Sequence, residues 1–116
     1  MKKKKEVISE NLLEKIPVRS SLIEWKTDEE GIVTLEIKNT GWANKLAQVF
    51  FNRPKVSYVH LDKFGSFVWQ IIDSESDILK LGKRVAEEFG EEVNPLYERL
   101  AKYFKILESY HFIQLL

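Results

Sequence analysis

The stretch from Val56 to Asp73 constrains this chain more than any other, because VSYVHL, a run with strand character, passes into KFGSFVWQIID with only Asp62 between them. Asp62 is suited to cap a helix starting at Lys63, since its carboxylate accepts orphan backbone N–H groups and favours the positive end of the helix dipole. Phe64, Phe67, Val68, Ile71 and Ile72 recur at i, i+3, i+4, i+7 and i+8, the spacing of an apolar stripe facing a core. A strand over Val56 to Leu61 therefore delivers the chain into a helix, and two more helix patterns come after it. A strand feeding three helices suggests a small binding scaffold.

The second helix starts near Asp77 and buries Ile78, Leu81, Val85 and Phe89, with Gly90 where a left-handed cap is wanted. The last opens on Asn94-Pro95, read as a cap residue and a first-turn proline. Its apolar positions Leu96, Tyr97, Leu100, Ala101, Tyr103, Phe104 and Leu107 are wider than one stripe requires. It is expected to serve two apolar neighbours. His111 comes next as a left-handed stop, and FIQLL packs or frays beyond it. Upstream, Val18 to Trp25 and Ile32 to Lys38 flank the turn-rich TDEEG and read as a β-hairpin, the second run alternating with Ile32, Thr34 and Glu36 opposite Val33, Leu35 and Ile37. Between that hairpin and Val56, Ala43, Leu46, Ala47 and Phe50 fall at helical spacing before Pro54, so a short helix is expected inside the insertion from Asn39 to Pro54. Ile8, Leu12 and Ile16 behind four lysines read as an N-terminal arm over 1–17, ended by Pro17, with one domain over 18–116.

Chain length and chemistry narrow the function. The 116 residues suit one domain with one core. Lys+Arg and Asp+Glu balance at 18 each, so no basic surplus points to nucleic acid. With no cysteine, disulfides and Cys-based zinc sites are excluded, which fits a reducing compartment; the cytoplasm is the expected location. Glu6, Glu10 and Glu14 interrupt the apolar run that an export signal needs, and no stretch approaches the roughly 20 apolar residues of a membrane span. His60 and His111 lack a partner histidine at metal-site spacing, and His60 with Asp62 supplies only two ligands of an incomplete site. The pairs Glu87-Glu88 and Glu91-Glu92 read as solvated surface, and the scattered glycines form no phosphate loop. No catalytic residue, metal or cofactor is expected.

Two features favour binding. Arg99, Lys102 and Lys105 form a basic stripe beside Tyr103 and Phe104 on the last helix; a charged solvent face is the plainer reading, a rim for an acidic amphipathic peptide the sharper one. A three-stranded sheet has two edges, and an edge strand can accept an extended peptide as an added strand or pair with a second copy of itself.

The pattern HLDKFGSFVWQIID, DILKLGKRVAEEFG and RLAKYFKILESYHFI resembles the PqqD-like family, the RiPP recognition elements, over roughly Leu22 to Ile113. RiPPs are ribosomally made, post-translationally modified peptides. The resemblance implies an α+β, winged-helix-like domain, a three-stranded antiparallel sheet followed by three helices, here with the extra helix inserted between strands 2 and 3. It further implies a peptide chaperone without activity of its own, which captures the leader of a precursor peptide by strand addition and presents it to a modifying enzyme, often a radical-SAM maturase. The receiving strand is then Val56, Ser57, Tyr58, Val59, His60 and Leu61, and the groove wall is drawn from Tyr97, Leu100, Ala101, Phe104 and Lys105. Ser74, Lys80, His111 and the insertion depart from the family pattern. The alternatives are a winged-helix nucleic-acid binder using Arg99, Lys102 and Lys105, and an adaptor docking through Trp42, Phe50 and Phe51.

Overall fold

The structure, a computed structural model, describes residues 10–38 and 56–116. The element order is α1 (Glu10–Leu13), β1 (Pro17–Arg19), β2 (Glu24–Thr27), β3 (Val33–Lys38), β4 (Val56–His60), α2 (Lys63–Ile71), α3 (Ile78–Phe89), a 3₁₀ turn (Gly90–Val93), α4 (Leu96–Ser109) and β5 (Ile113–Leu115). The protein is mixed α+β, with a small antiparallel sheet and several helices. The helix expected over Ala43 to Phe50, like the lysine start, lies outside the described residues.

The chain divides into two units, a sheet unit over Ser21–Ser66 and a helical unit made from residues up to Ser20 and from Phe67 onward. In the sheet unit the order is β2-β3-β4. Thr27 leads into a tight turn in which Asp28 Oδ1 accepts the N–H groups of Glu30 and Ile32 at 2.8 and 3.0 Å. Gly31, at φ 83°, supplies the left-handed residue that closes such a three-residue hairpin loop. Val33 and Leu35 are fully buried and alternate with the half-exposed Thr34 and Glu36, as their period of two anticipates.

The hairpin expected from Val18 is shorter than the sequence suggested. Ser21 and Leu22 make a turn that separates β1 from β2, and β1 joins a second sheet with β5. Ile16 and Leu116 exchange reciprocal backbone bonds of 2.9 and 3.0 Å, and Ser20 N–H reaches Phe112 O at 2.9 Å. Ile113 to Leu115, within FIQLL, thus form a strand. Residues read as the end of an arm belong to the helical unit: Leu12 is buried, and Lys15 O accepts the Ile78 N–H at 3.1 Å. Pro17 disfavours helical geometry at Ile16, which fits α1 stopping at Leu13.

The helical unit buries Val68, Trp69, Ile72, Ile78, Leu81, Val85, Leu100, Ala101, Phe104 and Leu107. Asp77 caps α3, its Oδ1 accepting Lys80 N–H at 2.9 Å. Phe89 stays half-exposed, edge-on to Phe67 at 5.5 Å. Gly90 has the positive φ expected, 68°, but opens a 3₁₀ turn, and Pro95, not Asn94, occupies the cap position of α4. Gly82 has a packing reason: a Cβ there would lie inside contact distance of the Tyr97 ring, which crosses α3 to donate its hydroxyl to Leu79 O at 3.2 Å.

Helix α4 ends in a Schellman motif. Phe112 N–H bonds Leu107 O at 3.0 Å, His111 N–H bonds Glu108 O at 2.9 Å, and Leu107 and Phe112 are both buried. His111 holds φ 64°, where an L side chain is strained and glycine is not. His111→Gly is therefore expected to raise stability by about 0.5–1 kcal/mol, the relief of strain less the added chain entropy of glycine. An upward shift of the urea midpoint at constant slope checks it.

Candidate functional site

The expected receiving strand is, among the described residues, an edge of the sheet. Among the described residues β4 pairs only with β3, in the antiparallel register Thr34↔His60, Leu35↔Val59, Glu36↔Tyr58, Ile37↔Ser57 and Lys38↔Val56. Leu61 N–H bonds Val33 O at 2.9 Å, which fixes the phase of the ladder. Hydrogen-bonded and non-hydrogen-bonded pairs alternate in an antiparallel pair, so Ser57, Val59 and Leu61 direct their main chain at β3. Val56, Tyr58 and His60 direct theirs outward. Among the described residues no backbone bond reaches the outward N–H and C=O of Tyr58 and His60.

The two edges differ in charge. β2 places Glu24 and Lys26 on its edge, with Lys26–Glu36 at 3.6 Å and Lys38–Glu24 at 3.7 Å. These diagonal pairs offset the like charges of Glu24 and Glu36, which stand directly opposite. β4 carries no Asp, Glu, Lys or Arg. Its Tyr58 is 59% exposed, and His60 Nδ1 lies 2.8 Å from Thr34 Oγ1 across the strand pair. Charge on an edge is a usual guard against added strands; β2 carries it within the strand, whereas β4 has it only in the flanking Lys55 and Asp62-Lys63 of the sequence.

A buried hydroxyl fastens the end of β4. Val33 N–H donates to Ser66 Oγ at 2.8 Å, and Ser66 Oγ donates to Leu61 O at 3.3 Å. The bond that would complete the Val33–Leu61 pair is relayed through one side chain, 1% exposed, from the first turns of α2. Asp62 caps that helix as expected, its Oδ1 accepting Gly65 N–H at 2.7 Å. Neither Ser66 nor Thr34 stood out in the sequence, since a serine early in a helix and a threonine in a strand are both ordinary.

The residues assigned to the groove wall lie in the helical unit and do not share one environment. Leu100, Ala101 and Phe104 are completely buried, so their side chains are core and present no surface. Tyr97 is half-exposed and committed to Gly82 and Leu79. Lys105 is exposed and pairs with Glu108 at 3.2 Å. Arg99 and Lys102 also sit on the exposed side of α4.

Of the pair His60 and Asp62, His60 is engaged with Thr34 and Asp62 with the start of α2. Among the described residues no group of three or more His, Asp or Glu is placed to hold a metal ion, and no helix is long and apolar enough to cross a membrane. Asp73 is the one carboxyl clearly displaced from its usual range among the described residues. The backbone N–H groups of Ser76 and Glu75 hold it low, and the arrangement forms the turn in which Ser74 takes φ 64°.

Compared with models of known protein families, with curated proteins and with solved structures, the chain matches none.

Proposed function

We propose that this protein is a non-catalytic peptide-binding module of the PqqD-like, winged-helix-like type, which captures the leader of a precursor peptide as an added strand on β4 and presents it to a peptide-modifying enzyme, a radical-SAM maturase being the first candidate. One observation carries the reading: an uncharged edge strand whose Tyr58 and His60 main-chain groups face outward with no backbone partner among the described residues. Strand addition needs that surface, because main-chain bonds give affinity while alternate side chains give specificity. Leucine, alanine and phenylalanine at 100, 101 and 104 support the fold beneath α4. Specificity then falls to the side chains of β4: Tyr58 and His60 on the outer face, Ser57 and Val59 on the other.

Proline at position 58 tests this cleanly. The Tyr58 N–H faces away from β3, so proline there removes a donor to the ligand without removing a ladder bond. With the leader of a short peptide encoded beside this gene, amide shifts in an NMR titration are expected to concentrate on Val56 to Leu61. Tyr58→Pro is expected to weaken binding at least about tenfold, the worth of one or two main-chain bonds, while its remaining spectrum stays dispersed. Equal binding by a folded Tyr58→Pro protein would remove strand addition on β4 as the mode of capture.

A further inference from the structure

The same edge is self-complementary. We propose that β4 is the seam of a reversible homodimer in which a second copy takes the place of the peptide, so that self-association and peptide capture exclude one another. The proposal rests on the peptide-capture reading above and adds its regulation. A two-fold axis through Tyr58 sets it antiparallel to Tyr58 of the partner subunit, Val56 to His60 of the partner subunit and Ser57 to Val59 of the partner subunit. The residues whose backbone groups point outward, Val56, Tyr58 and His60, then meet one another alone, so each reciprocal bond of the seam joins groups that β3 does not use.

The side chains agree with this register. Val56, Tyr58 and His60 share the outer face with Thr34, Glu36 and Lys38, and Ser57 and Val59 share the opposite face with Ile37 and Leu35. Two-fold pairing keeps each set on its own face. No charge confronts its own copy, because β4 has none. The axis brings together two tyrosines that are 59% exposed in the single chain, and cross-strand aromatic pairs are among the favourable ones in antiparallel sheets. Isologous pairing through one patch also closes after two copies, as most homo-oligomers do, and joins two sheets into a continuous one.

Sedimentation velocity on the full chain over a wide concentration range, with and without a saturating leader peptide, tests the proposal. The mass is expected to rise reversibly from monomer to dimer and to return to monomer when peptide is added. Tyr58→Pro is expected to stay monomeric, and Tyr58→Lys, which sets like charges opposite each other at the axis, to do the same without any backbone change. A dimer that both variants retain, or that bound peptide leaves intact, would overturn the proposal. A wild-type chain that stays monomeric yet binds peptide through β4 would overturn it too, leaving peptide capture standing. A Tyr58-dependent dimer that binds no peptide would uphold the seam and count against peptide capture.

Discussion

Truncating Phe104 to alanine is expected to cost about 3–5 kcal/mol, a large part of the roughly 5–15 kcal/mol that holds a domain folded. Phe104 is fully buried in α4, with Leu100 one turn before it and Leu107 one turn after, both equally enclosed or nearly so. Its ring also meets Tyr103 edge-on at 5.2 Å. Removing the ring loses its transfer free energy and leaves a void that close-packed neighbours fill only in part. Urea unfolding followed by helical circular dichroism should show a much lower midpoint at similar slope. A loss under about 1 kcal/mol would mean that the site collapses freely or that the ring lies at a surface. The same measurement separates a core role from a recognition role, since a wall residue of an open groove could be truncated at little cost to folding.

Ser66→Ala should be the second most costly change, about 1–3 kcal/mol, although it removes a single atom. Val33 N–H would lose its acceptor in a place where Val33 itself has no exposed surface, and Leu61 O would lose its hydroxyl donor. An orphaned buried donor costs its full desolvation, whereas an exposed one turns to water. Amide hydrogen exchange gives a local readout: protection at Val33 should fall more than protection at Leu35, which keeps its place in the ladder opposite Val59. Equal protection before and after the change would mean that the relay does not hold the strand. Because Leu61 and Ser66 bracket the exit from β4, the variant should also loosen the edge on which binding is proposed.

The parts of this fold that could be read in the sequence are those carried by local periodicity and caps. Val33, Leu35 and Ile37 alternate as a strand must, Asp62 and Asp77 stand where helices need acceptors, and His111 takes the positive φ expected of a stop. What escaped was non-local. β1 and β5 are three residues each, too short to show a period, and their partnership joins opposite ends of the sequence. Trp69 falls beside the stripe of Phe67, Val68, Ile71 and Ile72 yet is fully enclosed, with Arg19 reaching from β1 to its carbonyl at 2.7 Å. For the candidate site, strand 56–60 itself was legible because its strand pattern passes at once into a capped helix, whereas its place at an edge among the described residues follows only from the sheet order. The division of α4 was not, since Leu100, Ala101 and Phe104 look the same in sequence whether they line a groove or fill a core.

The ladder between β1 and β5 bears on the order in which this chain can fold as it is made. Synthesis proceeds from the N-terminus, and units tend to fold as their last residue emerges. The sheet unit is continuous in sequence, so β2, β3 and β4 can assemble while the later helices are still being translated. β1 is made before all of them and finds its partner after all of them, because Ile113–Leu115 lies beyond the last helix. During that interval Pro17–Arg19 has no native strand to pair with, and the helical unit closes only when the chain's final strand arrives.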